Sequence, residues 1–122
     1  MLAGRSVLIV ETEYLIALEI RHTLESLGAG KVVIAHSPAD AMDFAMNWSD
    51  AALAVVELQI NRPDIEGLLR SLKHAEIPTI AVTADVRLNG GHSLFPGLPV
   101  LIKPVHGDDL ASAARSLLGY QT

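Results

Sequence analysis

Five short apolar runs recur along the chain, at residues 6–10 (SVLIV), 31–35 (KVVIA), 53–60 (LAVVELQI), 78–84 (PTIAVTA) and 99–103 (PVLIK). They are rich in Val and Ile, and most lack polar alternation. Runs of this kind predict strands buried on both faces, as in a parallel sheet. Pro78 stands at the start of the fourth run, where a strand tolerates proline. Between the runs the period becomes helical. Thr12 and Glu13 open a helix whose stripe is Ile16, Ile20, Leu24 and Leu27, and Gly28 supplies the stop. Ser37, Pro38 and Asp40 form a helix start, with a capping hydroxyl, a first-turn proline and an acid three residues after the cap. That helix should run through Met42, Ala45 and Met46 and fade over residues 47–49. Asp64 is placed to cap a third helix carrying Leu68, Leu69 and Leu72 and ending near His74. A last helix over residues 107–118 turns Leu110, Ala114, Leu117 and Leu118 inward and stops at Gly119. Residues 85–97 break the rhythm: Gly90, Gly91 and Pro96 leave room for at most one helical turn and a mobile loop.

Strands alternating with helices at this spacing predict βαβ units, right-handed crossovers and a parallel sheet covered on both faces. The 122 residues suit one domain with a real core, without linker or repeat. Composition adds mostly exclusions. No apolar run approaches the ~20 residues that span a bilayer, and residues 1–5 lead straight into a strand with no leader peptide, so the expected location is the cytoplasm, with no membrane partner. The absence of cysteine excludes disulfides, Cys-ligated zinc and thiol chemistry. A net charge of −5 argues against general nucleic-acid binding. His22, His36, His74, His92 and His106 show no ligand spacing and read as surface or packing residues, and Trp48 reads as packing.

The chemistry gathers at the C-terminal ends of the strands. A carboxylate inside a buried run is costly, but at a strand's C-terminal end it lies where open α/β sheets place their ligand crevices. Strand one ends in Glu11, Thr12 and Glu13, strand three in Glu57, strand four in Thr83, and strand five in Lys103 followed by Pro104. The motifs Val-Leu-Ile-Val-Glu-x-Glu, Val-Thr-Ala and Ile-Lys-Pro, in this order, resemble the receiver domain of two-component response regulators over essentially the whole chain. The resemblance implies the flavodoxin-like three-layer α/β/α sandwich, with a five-stranded parallel sheet in order 2-1-3-4-5. It also implies roles. In the family, two acids after strand one hold Mg²⁺. An aspartate ending strand three is phosphorylated by a histidine kinase. A Thr or Ser ending strand four and a Lys ending strand five bind the phosphoryl group, and the Lys-Pro bond is usually cis, so Lys103–Pro104 is expected to be cis.

The chain departs from that pattern at four places. Glu57 stands at the phosphoacceptor aspartate, and Thr12 stands at the second metal-binding acid. Val100 takes a position often held by an aromatic switch residue, and the family's fourth helix is shortened or lost in the Gly90–Gly91 segment. Glutamate carries its carboxylate one methylene further out, and a misplacement of about 1 Å can cost roughly 10²-fold in rate. Phosphoryl transfer relies almost wholly on positioning and on charge neutralisation by the metal. Thr12 removes an anionic ligand from an ion that demands near-octahedral oxygen geometry. Glu11, Thr12 and Glu57 therefore read as a relic acidic pocket with no metal expected, and Glu11 with Glu57 leaves room for weak Mg²⁺ only. Lys103 is then expected to pair with Glu57, and Thr83 to hydrogen-bond it, while Glu13 reads as an exposed first-turn residue favoured by the helix dipole.

These departures point to a stand-alone, atypical receiver that is not an enzyme. It would act without phosphate, by contact with a signalling protein such as a histidine kinase or another regulator. In the family, dimers and targets use the face that here comprises residues 85–96, Val100 and the last helix, so a homodimer through it is the second partner expected. The alternative is a receiver still phosphorylated weakly, with Mg²⁺, by a histidine kinase or a small phosphodonor. A flavodoxin-like ligand binder is disfavoured, because Glu11 and Glu13 after strand one would repel a phosphate.

Overall fold

The computed structural model describes residues 1–120. Strand β1 (Val7–Val10) is buried along its whole length because both of its faces are covered. Successive side chains point to opposite faces of a sheet. Val7 and Ile9 accordingly join one apolar cluster, and Leu8 and Val10 join the other. The same parity divides β3 (Leu53–Glu57), whose Leu53 and Val55 face the first cluster and whose Ala54 and Val56 face the second. In β4 (Thr79–Thr83) it sends Ile80 and Val82 one way and Ala81 the other. The sheet is completed by β2 (Val32–Ala35) and β5 (Val100–Ile102). All pairings are parallel and the strand order is β2-β1-β3-β4-β5. This is the parallel sheet covered on both faces that the alternation of strands and helices implied, in the flavodoxin-like order that the receiver resemblance implied.

Helices α1 (Tyr14–Ser26) and α5 (Gly107–Leu117) cover one face through Ala17, Ile20, Leu24, Leu110 and Ala114. The other face is covered by α2 (Pro38–Asp43), α3 (Ala45–Trp48) and α4 (Pro63–His74), with Ala41, Trp48, Ile65, Leu68, Leu69 and Leu72 inward. Ser37 caps α2 by accepting the Asp40 amide at 3.0 Å. The second helix, expected to be continuous, is interrupted at Phe44. The buried Trp48 indole N–H donates to the Ala41 carbonyl, the acceptor that the Ala45 amide would use in an unbroken α-helix. Asp64 is not the cap of α4. Arg62 holds that place, because Pro63, with its φ pre-set and no amide to satisfy, suits the first helical position. Asp64 sits in the first turn, accepting from the Ile65 amide and bridged by the Arg62 guanidinium.

Between β4 and β5 a single 3₁₀ turn, Val86–Leu88, is capped by Asp85. A tight turn follows, with His92 bridged to Phe95. Leu88, Phe95 and Leu98 seal the sheet here against the cluster under α4, so the helix lost from this segment is replaced by loop side chains. None of the described helices is long and apolar enough to cross a membrane.

The N-terminal turn is locked under the end of α1. Leu2 is buried, its amide bonds the Leu27 carbonyl, and the Gly4 amide bonds the Gly28 carbonyl. A Cβ added at Gly30 would stand 2.2 Å from the Gly4 carbonyl oxygen. Gly30→Ala should therefore force backbone apart and cost about 1–3 kcal/mol. Urea unfolding of the variant beside the parent measures it, and an unchanged midpoint would contradict the close packing of these two turns.

Candidate functional site

Register brings the strand ends together. Val10 pairs with Ala35 on one side and Val56 on the other, Glu57 pairs with Val82, and Thr83 pairs with Ile102. The ladders continue one residue past β1 and β5, since the Glu11 amide bonds the Ala35 carbonyl and the Lys103 amide bonds the Thr83 carbonyl. Glu11, Glu57 and Lys103 thus share parity with the residues that face α1 and α5, whereas Thr83 shares parity with Ala81 on the opposite face. The Lys103–Pro104 bond is cis, as expected.

Lys103 is the centre of the cluster. Its side chain is only 8 % exposed, and its ammonium donates to Glu13 Oε2 at 2.6 Å and Glu11 Oε2 at 2.9 Å, and lies 3.6 Å from Glu57 Oε2. Burial works against the charged lysine, but the two hydrogen-bonded carboxylates outweigh it and raise its pKa. Glu11 is almost wholly buried. Its Oε2 also accepts the Glu13 amide at 3.0 Å, while its Oε1 has no hydrogen-bond partner among the described residues. Burial raises the Glu11 pKa, against the Glu13 amide and Lys103, which lower it.

Glu57 is held by a different residue. The Thr12 amide and hydroxyl both donate to its Oε1, at 2.9 and 2.7 Å, and Gln59 donates to Oε2 at 3.2 Å. Burial would raise its pKa, but the Thr12 donors, Lys103 and Gln59 outweigh it and hold it at about 2. The expected pairing of Lys103 with Glu57 is present as an ion pair at 3.6 Å, but the ammonium's hydrogen bonds go to Glu11 and Glu13, which the expectation did not include. The expected Thr83–Glu57 bond is replaced as well. The Thr83 hydroxyl accepts the Asp85 amide at 3.1 Å and helps to cap the turn after β4.

Glu13 was missed as a site residue. Although 58 % of its side chain is exposed, it is the nearest partner of Lys103. The available signal was its spacing, two residues after Glu11, which returns it to the same side of an extended chain. Gln59 was missed too, and it lies at the same offset from Glu57.

No protein-family model and no curated protein matches the chain, but solved structures do. SdrG from Pseudomonas melonis Fr1, in its BeF3-activated conformation, is 28 % identical with a TM-score of 0.74, over 97 % of this chain and 99 % of that one. The signal receiver domain of a signal transduction histidine kinase from Syntrophus aciditrophicus is 27 % identical with a TM-score of 0.72, over 94 % and 90 %. The signal receiver domain of a modulated diguanylate cyclase from Desulfovibrio desulfuricans G20 is 26 % identical with a TM-score of 0.74, over 94 % of each chain. The chain has the fold of response-regulator receiver domains and is similar to them over nearly its whole length.

The Mg²⁺ that the receiver resemblance implies has three carboxylates to consider. Glu11, Glu13 and Glu57 each offer an oxygen, and these oxygens lie within 4.8 Å of one another. As they stand they do not fit the ion. The Lys103 ammonium is already bonded to two of them and is 3.6 Å from the third, and Thr12 offers its N–H and O–H to Glu57.

Stability in acid should report the Glu57 contacts. A carboxyl whose pKa is lower in the folded state stabilises the fold above its unfolded value of 4.5, and that contribution is lost as pH falls towards about 2. The stability lost on Glu57→Gln should therefore be largest near neutral pH and shrink steadily on acidification through this window. Urea midpoints of parent and variant over a pH series check it, and a difference that widens in acid would contradict it.

Proposed function

We propose that this chain is a degenerate receiver domain that serves two-component signalling by protein contact and without phosphorylation, as a binding element rather than an enzyme. The observation that carries this reading is the double donation of Thr12 to Glu57. The residue at the phosphoacceptor position already has one carboxylate oxygen engaged by an amide and a hydroxyl. To attack a phosphorus centre it must give up those bonds and approach from a side chain one methylene longer than aspartate. Catalysis of phosphoryl transfer is almost entirely positioning and charge stabilisation. Here the nucleophile is tied back, and the strand-five lysine is spent on Glu11 and Glu13.

The partner expected on this reading is a signalling protein, such as a histidine kinase or another regulator, or a second copy of this chain. The surface that favours it is the remodelled segment after β4, which exposes Val86 and Leu94 at 72 % and 55 %. A partner docked on this segment would cover both side chains.

The direct test is incubation with acetyl phosphate or phosphoramidate and Mg²⁺, read by intact mass. The expected result is no added phosphate. A gain of one phosphate that disappears in Glu57→Gln would overturn the reading and restore a weak phosphoacceptor. Binding is tested by pull-down from the native cell with parent and Val86→Asp/Leu94→Asp proteins. The expected outcome is a partner, or self-association, lost in the double variant.

A further inference from the structure

We propose that the cavity at the N-terminal ends of β4 and β5 is a binding site for an apolar amino acid with an acylated nitrogen, either free or as the last residue of a peptide. The cavity lies at the opposite end of the strands from Glu57 and Lys103, so the proposal does not rest on phosphate-independence.

The cavity follows from the way the chain enters β5. Phe95, Pro96, Gly97 and Leu98 form a type II turn. Proline presets its second position, Gly97 takes a φ of 85° at the third, and the Leu98 amide bonds the Phe95 carbonyl at 3.2 Å. Beyond the turn the ladder with β4 is incomplete. The Ala81 amide bonds the Pro99 carbonyl and the Lys103 amide bonds the Thr83 carbonyl, so alternate residues of β4 turn their peptide groups towards β5. Thr79 is the next of these. Its carbonyl would take the amide of residue 99, but that residue is proline and has none. Its own amide finds no carbonyl in the turn. Neither peptide group has a hydrogen-bond partner among the described residues.

Beside Thr79 a cavity of about 200 Å³ opens between the turn, the end of α4 and the end of α5. Its walls are apolar and include Leu69, Ile77, Phe95, Leu98 and Leu117. Lys73 is the one charged residue that lines it, and it has no ion pair among the described residues. The neighbouring Arg70 is engaged, over the Phe95 ring and beside Glu66. Binding sites join an apolar lining to a few polar groups that fix orientation. Here those groups define the ligand. Two residues paired in the antiparallel manner exchange both N–H···O bonds. An acylated amino acid meets Thr79 in this way: its neutral N–H donates to the Thr79 carbonyl, and one carboxylate oxygen accepts the Thr79 amide. The other oxygen is left for the Lys73 ammonium, and the side chain fills the apolar space. A free amino acid fits less well, because its charged amine would lose water against apolar walls.

The experiment is an NMR titration of the full chain with N-acetyl-leucine and with a tetrapeptide ending in leucine, read at the Thr79 amide. At least one should shift that resonance saturably, with a Kd on the order of 0.1–1 mM for so small a ligand, and the tighter of the two identifies the source. The analogue with an ester in place of the amide has no N–H to donate and should bind about fivefold weaker or worse, as should free leucine. Lys73→Glu, at an exposed position, should weaken binding about tenfold and leave the uncharged N-acetyl-leucinamide nearly unaffected. The absence of a saturable shift at Thr79 with either ligand would overturn the proposal. So would equal affinity for the ester analogue, or unchanged affinity in Lys73→Glu. None of these readings involves Glu57 or phosphate, so they stand apart from the phosphorylation test.

Discussion

The ammonium of Lys103 is what lets the C-terminal edge of this sheet exist in its present form. It joins the end of β5 to the end of β1 and the start of α1 across 92 and 90 residues of sequence. Two of its three acidic neighbours are largely buried, and so is the lysine itself. Taking such charges out of water costs several kcal/mol each, and only close, hydrogen-bonded geometry offsets that cost. A pair of this sort adds little over an apolar replacement, but removal of one member leaves a buried charge without its partner. The upward pKa shifts of both Glu11 and Lys103 follow from the same arrangement. The cluster's charge deficit falls on Glu11, whose pKa rises with burial, while Lys103 is held in its charged form by its carboxylates.

Thr12 resolves the rest of the electrostatic problem. In place of a fourth acid, the chain has a short side chain whose hydroxyl, together with its own backbone amide, donates to Glu57. The longer reach of glutamate makes that contact available from the end of β3. Substitution of the acceptor and substitution of the neighbouring acid are thus complementary: one adds length to a carboxylate, and the other supplies the donors that receive it. The result is an ionised Glu57 held at a pKa near 2 chiefly by the two Thr12 donors, with the Lys103 charge and Gln59 adding to them.

The fold was legible in the sequence wherever the signal was local. Each apolar run contained the strand observed, trimmed at its ends, and the stripes at Ile20 and Leu24 and at Leu68 and Leu72 named helix faces that are buried. Where the reading failed, a non-local or competing contact had decided. The second helix breaks because an indole seven residues away takes a backbone carbonyl. The third begins before Asp64 because Pro63 suits the first helical position better than an acid suits the cap. At the site, the residue types and their gathering at the strand ends could be read off, but Glu13 and Gln59 were not recognised as partners, although each lies two residues after a site acid.

Sequence alone determined that a five-stranded parallel sheet would form and that acids, a threonine and a lysine would collect along one of its edges. Hydrophobic periodicity and strand-end position are properties of short stretches of chain, so a single sequence carries them. Only the tertiary structure decided who bonds whom. Lys103 chose Glu11 and Glu13 over Glu57, Thr12 took Glu57 from 45 residues away, and Thr83 turned to the Asp85 amide. Those choices depend on differences of about an ångström between oxygens from separate segments, and on which face of the sheet each side chain leaves. Both are set when the strands come into register, and neither is written in any one stretch of the chain.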